Sequence, residues 1–491
     1  MNTHKINTSS NHNGIGIPLR FSKCIKYRIT LFYIGLSCFF MLSCHQTDRL
    51  PQNDIARAIE LPFKLSPNGH YFEKDGAPFF WLADTHWRLF AGADPRDLSA
   101  YFRIRKSNVV QVFYTMNWAK VNYRGDSAFF GKDPLQPDPA YLDAALKITQ
   151  MAKDDDINIC LVIGQPLKFD TYLNRIQEED QAYAYGFTMG QAFKACSNVV
   201  WALGQDFEGV RPSLWKAVAE GVCDAYDDNF DYDGLAQWSN TLMSYHIGWE
   251  SSTAVQFHDA PWLDFNMIQT SHMRQDNHSV YFWPWMGWQK TPVKPVLDAE
   301  PNYENHPIWK NNDESRFSSY DIRKAAYRSV FAGGAGISYG HNQIWPMRQN
   351  WQDSLYTEGA VQLQHLKNLI LAFPYTDRIP DPDIVRSINP NDAHKIIGCR
   401  SEKGDYALIY VPTAEQDFEL MLDWLGGRDY HFKWFDPQQG QYLNEKAGSM
   451  DAPEVHPYRE FDRFRSPSRS LGMDWVLVIQ AMAAQDPEVD A

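Results

Sequence analysis

Two carboxylates stand out by position. Asp206 closes the run Val200–Asp206 (VWALGQD), and Glu300 lies inside Pro295–Glu304 (PVLDAEPNYE); each follows a short apolar run of strand character. A carboxyl pair is what glycosidic-bond cleavage needs: one protonates the departing oxygen, and the other attacks the anomeric carbon or activates water. Asp206 could instead cap the following helix, with Glu208 as the working acid; Glu304 or Asp298 could replace Glu300. The residues ending the other apolar runs suit a hydroxylated ligand. They include Asp84 and Trp87, Gln205 beside Asp206, His272, Tyr303, His341 and Trp345. Carboxylate, amide and imidazole groups bond hydroxyls, and aromatic faces can stack on sugar rings. For each aromatic residue, loop packing is the competing explanation. Other chemistries lack their signatures. His86, His272 and His341 have no HExxH or HxH spacing, no GxSxG elbow is present, and no GxGxxG opens a helix. The sequence therefore calls for neither metal nor cofactor.

These residues need elements to position them. Eight short apolar runs span about residues 79–339: 79–84, 109–114, 157–163, 198–203, 241–247, 265–270, 295–299 and 335–339. Helical patterns at 95–107, 140–153, 181–195, 212–226 and 321–332 separate them. Alternation of this kind implies parallel strands. Eight units fit an α/β fold, a (β/α)8 TIM barrel, whose active residues sit at the C-terminal strand ends; a doubly wound open sheet is the alternative. After Leu371 the texture changes. Pro374, Pro380, Pro382 and Pro390 mark a linker, and apolar runs at 394–400, 405–411, 417–422, 429–435 and 474–479 predict a C-terminal β-sandwich domain. The expected divisions are a signal peptide over 1–43, a tether over 44–60, the catalytic barrel over 61–372, and the linker and sandwich over 373–491.

The 491-residue chain is 14% aromatic and carries a net charge of −14. Its first 43 residues hold five cations (Lys5, Arg20, Lys23, Lys26 and Arg28) and no acid; without them the charge is −19. So acidic a chain offers no broad basic face to nucleic acid. The N-terminal cations precede the apolar run Ile29–Ser43, too short for a comfortable transmembrane helix of about 20 residues. The run ends Met41-Leu42-Ser43-Cys44, resembling a bacterial lipobox, so Cys44 is the expected lipidation site and Cys38 the weaker candidate. This places the protein in the bacterial cell envelope, periplasmic or on the outer surface, touching membrane only through an N-terminal lipid anchor. A plain signal peptide or anchor is the alternative. Among the remaining cysteines, Cys196 and Cys223 could pair in an exported protein.

Gly76–Phe90 (GAPFFWLADTHWRLF), Val200–Asp206, Pro295–Glu304, Asp321–Gly336 (DIRKAAYRSVFAGGAG) and Tyr339–Pro346 (YGHNQIWP) resemble the apiosidase-like barrel family, glycoside hydrolase family 140. Tyr406–Pro412, Trp434–Gly440 (WFDPQQG) and Asp474–Ile479 resemble the module often attached to it, named for collagen binding. The resemblance spans about residues 61–480. It implies an exo-acting enzyme on plant cell-wall glycan, releasing apiose-linked side chains of the pectin rhamnogalacturonan II. The family's acid falls on Asp206 and its strand-seven carboxylate on Glu300. The family's usual Gly-Gly-Asp is Gly204-Gln205-Asp206 here, so a side chain intrudes beside the acid. Arg328 stands where the family often has Trp, and the 115–135 loop has no match. The expected chemistry is retaining, with Asp206 the acid/base in a dry setting and Glu300 the ionised nucleophile. A non-catalytic carbohydrate- or collagen-binding surface lipoprotein is the alternative.

Overall fold

The computed structural model describes residues 59–116, 121–164, 176–204, 206, 211–270, 272–275, 278–310, 314–443, 454–467 and 473–483. Cys44, Gln205 and Glu208 lie outside the described residues.

Eight strands form the barrel: β1 (Trp81–Thr85), β2 (Val109–Phe113), β3 (Asn158–Val162), β4 (Val199–Gly204), β5 (Met243–His246), β6 (Asn266–Gln269), β7 (Val296–Glu300) and β8 (Gly336–Tyr339). They run parallel in the order β5-β4-β3-β2-β1-β8-β7-β6. Helices follow all but one of them: α1 (Pro95–Arg105), α2 (Pro139–Asp154), α3 (Glu179–Phe193), α4 (Pro212–Tyr226), α5 (Ser279–Trp288), α6 (Ser319–Phe331) and α7 (Glu358–Leu371). After β5 only the short helix Thr253–Gln256 appears. The β5–β6 seam closes through Asp264 N–H to Met243 O at 2.8 Å, Met243 N–H to Asp264 Oδ2 at 2.7 Å and Ser244 Oγ to Phe265 O at 2.6 Å.

The strands are apolar on both faces because both are covered. In β2, Val110 and Val112 pack with the helical layer, while Val109 and Phe113 join the second core; β3 and β4 alternate likewise. Helix starts follow local chemistry. Asp94 and Asp138 accept the N–H of Arg96 and Ala140, with Pro95 and Pro139 at the first helical position, where a missing N–H costs nothing. Ser318 and Asp321 form a reciprocal capping box on α6.

The C-terminal domain holds two antiparallel sheets. One contains β9 (Arg378–Pro380), β10 (Ile397–Ser401), β11 (Tyr406–Val411), β13 (Tyr430–Asp436), β14 (Gln441–Tyr442) and β16 (Trp475–Ala481); the other pairs β12 (Asp417–Met421) with β15 (Phe461–Arg465). Ile409, Phe418, Leu420, Phe464, Leu477 and Ile479 fill the space between them. The outer face of the larger sheet, with Leu408, Tyr410, Val476 and Val478, continues the core formed with Leu363, Leu366 and Tyr327 of α6 and α7. Tyr327 and Tyr410 stack with centroids 5.0 Å apart. Buried Arg323 reaches Asp474 at 2.5 Å and Gln362 at 2.6 Å, and Tyr410 Oη donates to Asp474 at 2.9 Å. Arg328 donates to the backbone carbonyls of Asp392, Ala393 and Lys395. Cys160, Cys196, Cys223 and Cys399 are free thiols, so Cys196 and Cys223 do not pair.

Candidate active site

At the C-terminal strand ends lies a cavity of about 330 Å3, lined by residues that include Trp87, Asp206, Gln269, His272, Glu300, Tyr303 and Trp345. Strand ends of β1, β4, β6, β7 and β8 thus converge on one point, as a closed parallel barrel requires. The loop bearing Asp206 is shaped by Gly204. Its φ of +78° favours glycine, and an added Cβ would lie 2.5 Å from the His246 carbonyl and 2.7 Å from the Tyr245 ring. Asp206 itself has φ +49°, a left-handed conformation that aspartate tolerates better than most residues.

Gln269 ties the two carboxylates together. Its Nε2 donates to Asp206 Oδ1 at 3.0 Å and to Glu300 Oε2 at 2.7 Å. His246, the last residue of β5, sits behind them: Nδ1 is 3.3 Å from Asp206 Oδ1 and Nε2 is 3.4 Å from Glu300 Oε2. Ligand atoms of all three residues lie within 4.8 Å of one another. Each imidazole nitrogen faces a different carboxylate. His272 Nε2 is 3.3 Å from Glu300 Oε1. Burial holds the His272 ring neutral, at a pKa of about 4, so its contact with Glu300 is that of a neutral imidazole. Trp87 Nε1 donates to Tyr303 Oη at 3.1 Å, and the Trp87 ring stacks on Phe113.

The burial of the two carboxylates reverses the expectation. The Asp206 side chain is 29% exposed and Glu300 only 7%. Burial, then the neighbouring Asp206 charge, pushes the Glu300 carboxyl well above the ordinary carboxylate range. Gln269, His246 and His272 touch Glu300, yet these contacts do not offset its loss of water. Ionised Glu300, the deeper group, therefore needs a proton held close by at rest.

Two candidates do not reach the cavity. Asp84 is turned inward, with Arg105 Nε at 2.7 Å from its Oδ2, and it is 2% exposed. His341 is 4% exposed, and its Nδ1 accepts the Gln343 N–H at 3.1 Å. Nor do Glu304 and Asp298, two of the alternative carboxylates, line it. Glu304 accepts Tyr339 Oη at 2.6 Å and the Gly359 N–H at 3.0 Å, fastening the β7 loop to α7. Asp298 is fully buried and accepts Thr270 Oγ1 at 2.7 Å. Trp87, His272, Tyr303 and Trp345 do line the cavity with Asp206 and Glu300. Sequence reasoning missed His246 and Gln269 as partners of the pair; each ends its strand, and that position was the available signal. It also missed Trp249 and Trp309, 56% and 48% exposed, whose rings lie 5.4 Å apart in the cavity lining.

Residues 66–377 match the family profile described as "Apiosidase-like, catalytic domain", and 379–480 match "Putative collagen-binding domain of a collagenase". Among solved structures, one described as a glycoside hydrolase is 26% identical, with a TM-score of 0.74 over 87% of this chain and 98% of its own. A glycoside hydrolase family 5 structure from Bacteroides vulgatus ATCC 8482 is also 26% identical, with a TM-score of 0.73 over 85% of this chain and 93% of its own. No curated protein matches the chain.

Proposed function

The chain belongs to the apiosidase-like family of glycoside hydrolases, and from that premise we propose that it removes apiose-linked side chains from plant pectin, acting from the chain end with retention at the anomeric carbon. The observation that carries the mechanistic reading is the closeness of Asp206 and Glu300, bridged by one amide with ligand atoms within 4.8 Å. Carboxyl groups about 5–5.5 Å apart suit a retaining displacement, whereas about 6.5–9.5 Å is needed to seat an inverting water.

Depth assigns the roles. The sugar to be removed enters first and rests on the deeper carboxylate, so Glu300 is the nucleophile. The leaving oxygen lies toward the mouth, beside the more exposed Asp206, which protonates it. Asp206 then takes a proton from the water that releases the glycosyl ester. Gln269 holds both carboxylates in register through the two steps. Ionised Glu300 is required for attack, so the proton kept near it at rest must pass to Asp206 before the bond breaks. The cavity is near the small end of the range, about 300–1,000 Å3, in which clefts enclose a small molecule. That size suits one or two sugar rings rather than a long polymer in a groove. Trp249 and Trp309 offer aromatic faces to the part of the substrate beyond the scissile bond.

The basic and apolar N-terminal run ending at Cys44 supports attachment to the cell envelope through a lipid on that thiol. Cys44→Ala should then leave the protein in the aqueous phase on detergent partitioning; a diacylated Cys44→Ala protein would contradict it. For the activity, the test is a panel of pectic side-chain oligosaccharides followed by proton NMR. Apiose should be released, first in the anomeric configuration of the bond cleaved. Release of other sugars only would overturn the substrate assignment, and a first-formed product of opposite configuration would overturn retention.

A further inference from the structure

We propose that His246 is a positioning residue that holds the site's one mobile proton between Asp206 and Glu300, so that the acid is loaded while the nucleophile is ionised. The proposal rests on the functional reading of these two carboxylates. It starts from geometry: one ring presents Nδ1 to Asp206 at 3.3 Å and Nε2 to Glu300 at 3.4 Å. The ring is 1% exposed, so neither nitrogen is open to water. Trp87 meets it at 87° with centroids 5.0 Å apart, and Phe113 lies beyond with centroids 6.3 Å apart.

A neutral imidazole has one N–H and one lone pair. The N–H can hold one carboxylate, but the lone pair repels a second. Carboxylates on both nitrogens therefore require one further proton, either on the ring or on the carboxyl that faces the lone pair. These forms differ only in where that proton sits. It is the same single proton that a retaining pair needs, with one carboxyl protonated and the other ionised. Among the described residues, the titratable groups facing the ring are Asp206, from the loop after β4, and Glu300 of β7. His272 and Tyr303 stand behind Glu300, the first neutral through burial. Burial lowers the His246 pKa, but the Asp206 contact and the two carboxylate charges outweigh it and raise it overall.

The cycle balances. With substrate seated, the imidazolium gives its Nδ1 proton to Asp206 and keeps Nε2–H toward ionised Glu300. Glu300 bonds to the anomeric carbon as the glycosidic C–O bond breaks, and the Asp206 proton goes to the leaving oxygen. Water then attacks the anomeric carbon, its proton goes to Asp206, and the ester bond to Glu300 breaks. The proton can return to His246, and the starting state is restored.

His246→Gln and His246→Asn, compared with wild type in the full chain on the released oligosaccharide, test this. Both variants should lose about 10–100-fold in kcat, with KM within about threefold, since His246 touches no sugar. The alkaline limb of kcat/KM should move to lower pH, because the proton has lost one of its three hosts. A kcat loss with an unmoved pH profile would make the role merely structural and overturn the proposal, as would wild-type kinetics. Should both variants fold poorly, histidine-labelled wild-type protein gives the answer by nitrogen NMR. The His246 ring shifts should move between about pH 5 and 10 and stop moving there in Asp206→Asn; ring shifts constant across that range in wild type would overturn it. If Asp206→Ala and Glu300→Ala remain active, the functional reading fails first. If those are inactive while the His246 variants match wild type, only this proposal fails.

Discussion

Replacing Glu300 by alanine should reduce kcat by roughly 10^4-fold or more, as loss of a covalent nucleophile does elsewhere. Asp206→Ala should cost about 10^2–10^4-fold in kcat/KM on sugars with poor leaving groups and far less in kcat/KM on aryl glycosides, whose phenolate leaves without protonation. Azide should rescue the two variants with opposite product anomers, because it replaces the nucleophile in one and the activated water in the other. Neither change should unfold the protein. Stability provides a further check through Glu300→Gln, which keeps shape and removes the charge. Burial raises the Glu300 carboxyl in the fold. A raised group stabilises the native state below its unfolded pKa, and that contribution is lost as pH climbs through the folded value. The glutamine variant has no such loss, so its Tm relative to wild type should rise from the ordinary carboxylate range to alkaline pH. A falling difference would contradict the burial of a carboxylate deprived of sufficient donors.

The second large effect is on stability, at the junction of barrel and C-terminal domain. Arg323 and Asp474 are 2% and 1% exposed at the side chain and meet at 2.5 Å. Asp474→Ala leaves a guanidinium buried without its anion, beside Gln362 and the Tyr320 ring. Removing one partner of such a pair costs about 3–5 kcal/mol, a fall in Tm of several degrees. Tyr410 Oη also loses its acceptor. Asp474→Asn should fall between the two, since it keeps an acceptor but not the charge. Thermal unfolding of the three proteins at neutral pH measures this; an Asp474→Ala protein as stable as wild type would show that the junction relaxes and admits water.

The barrel was legible because its strands are short, apolar and separated by helical periodicity, and each run falls within a few residues of an observed strand. Residues 247–265 carried no long helical pattern, and only Thr253–Gln256 is helical there. In the tail, Phe461–Arg465 (FDRFR) escaped notice because alternating charges hide a two-stranded edge pairing with Asp417–Met421. The carboxylate pair was legible from strand-end position. Its depth was not, because burial of Glu300 against Asp206 depends on how far each side chain descends into the closed barrel. Asp84 illustrates the same limit. It ends a strand like its neighbours, but its partner Arg105 comes from the far end of α1, and nothing local couples the two. His246 is the converse case, a strand-end residue whose role depends on two carboxylates distant in sequence.

The account's central claim is that Glu300 forms a covalent bond to the sugar. The most direct measurement uses Asp206→Ala with an aryl apioside. Its leaving group departs without an acid, while release from the enzyme is slow without a base, so the intermediate accumulates. Mass spectrometry of the rapidly quenched protein should show an added pentosyl group, and peptide mapping should place it on the segment containing Val296–Glu300. An adduct on a different segment, or complete turnover with no adduct at any time, would contradict the account.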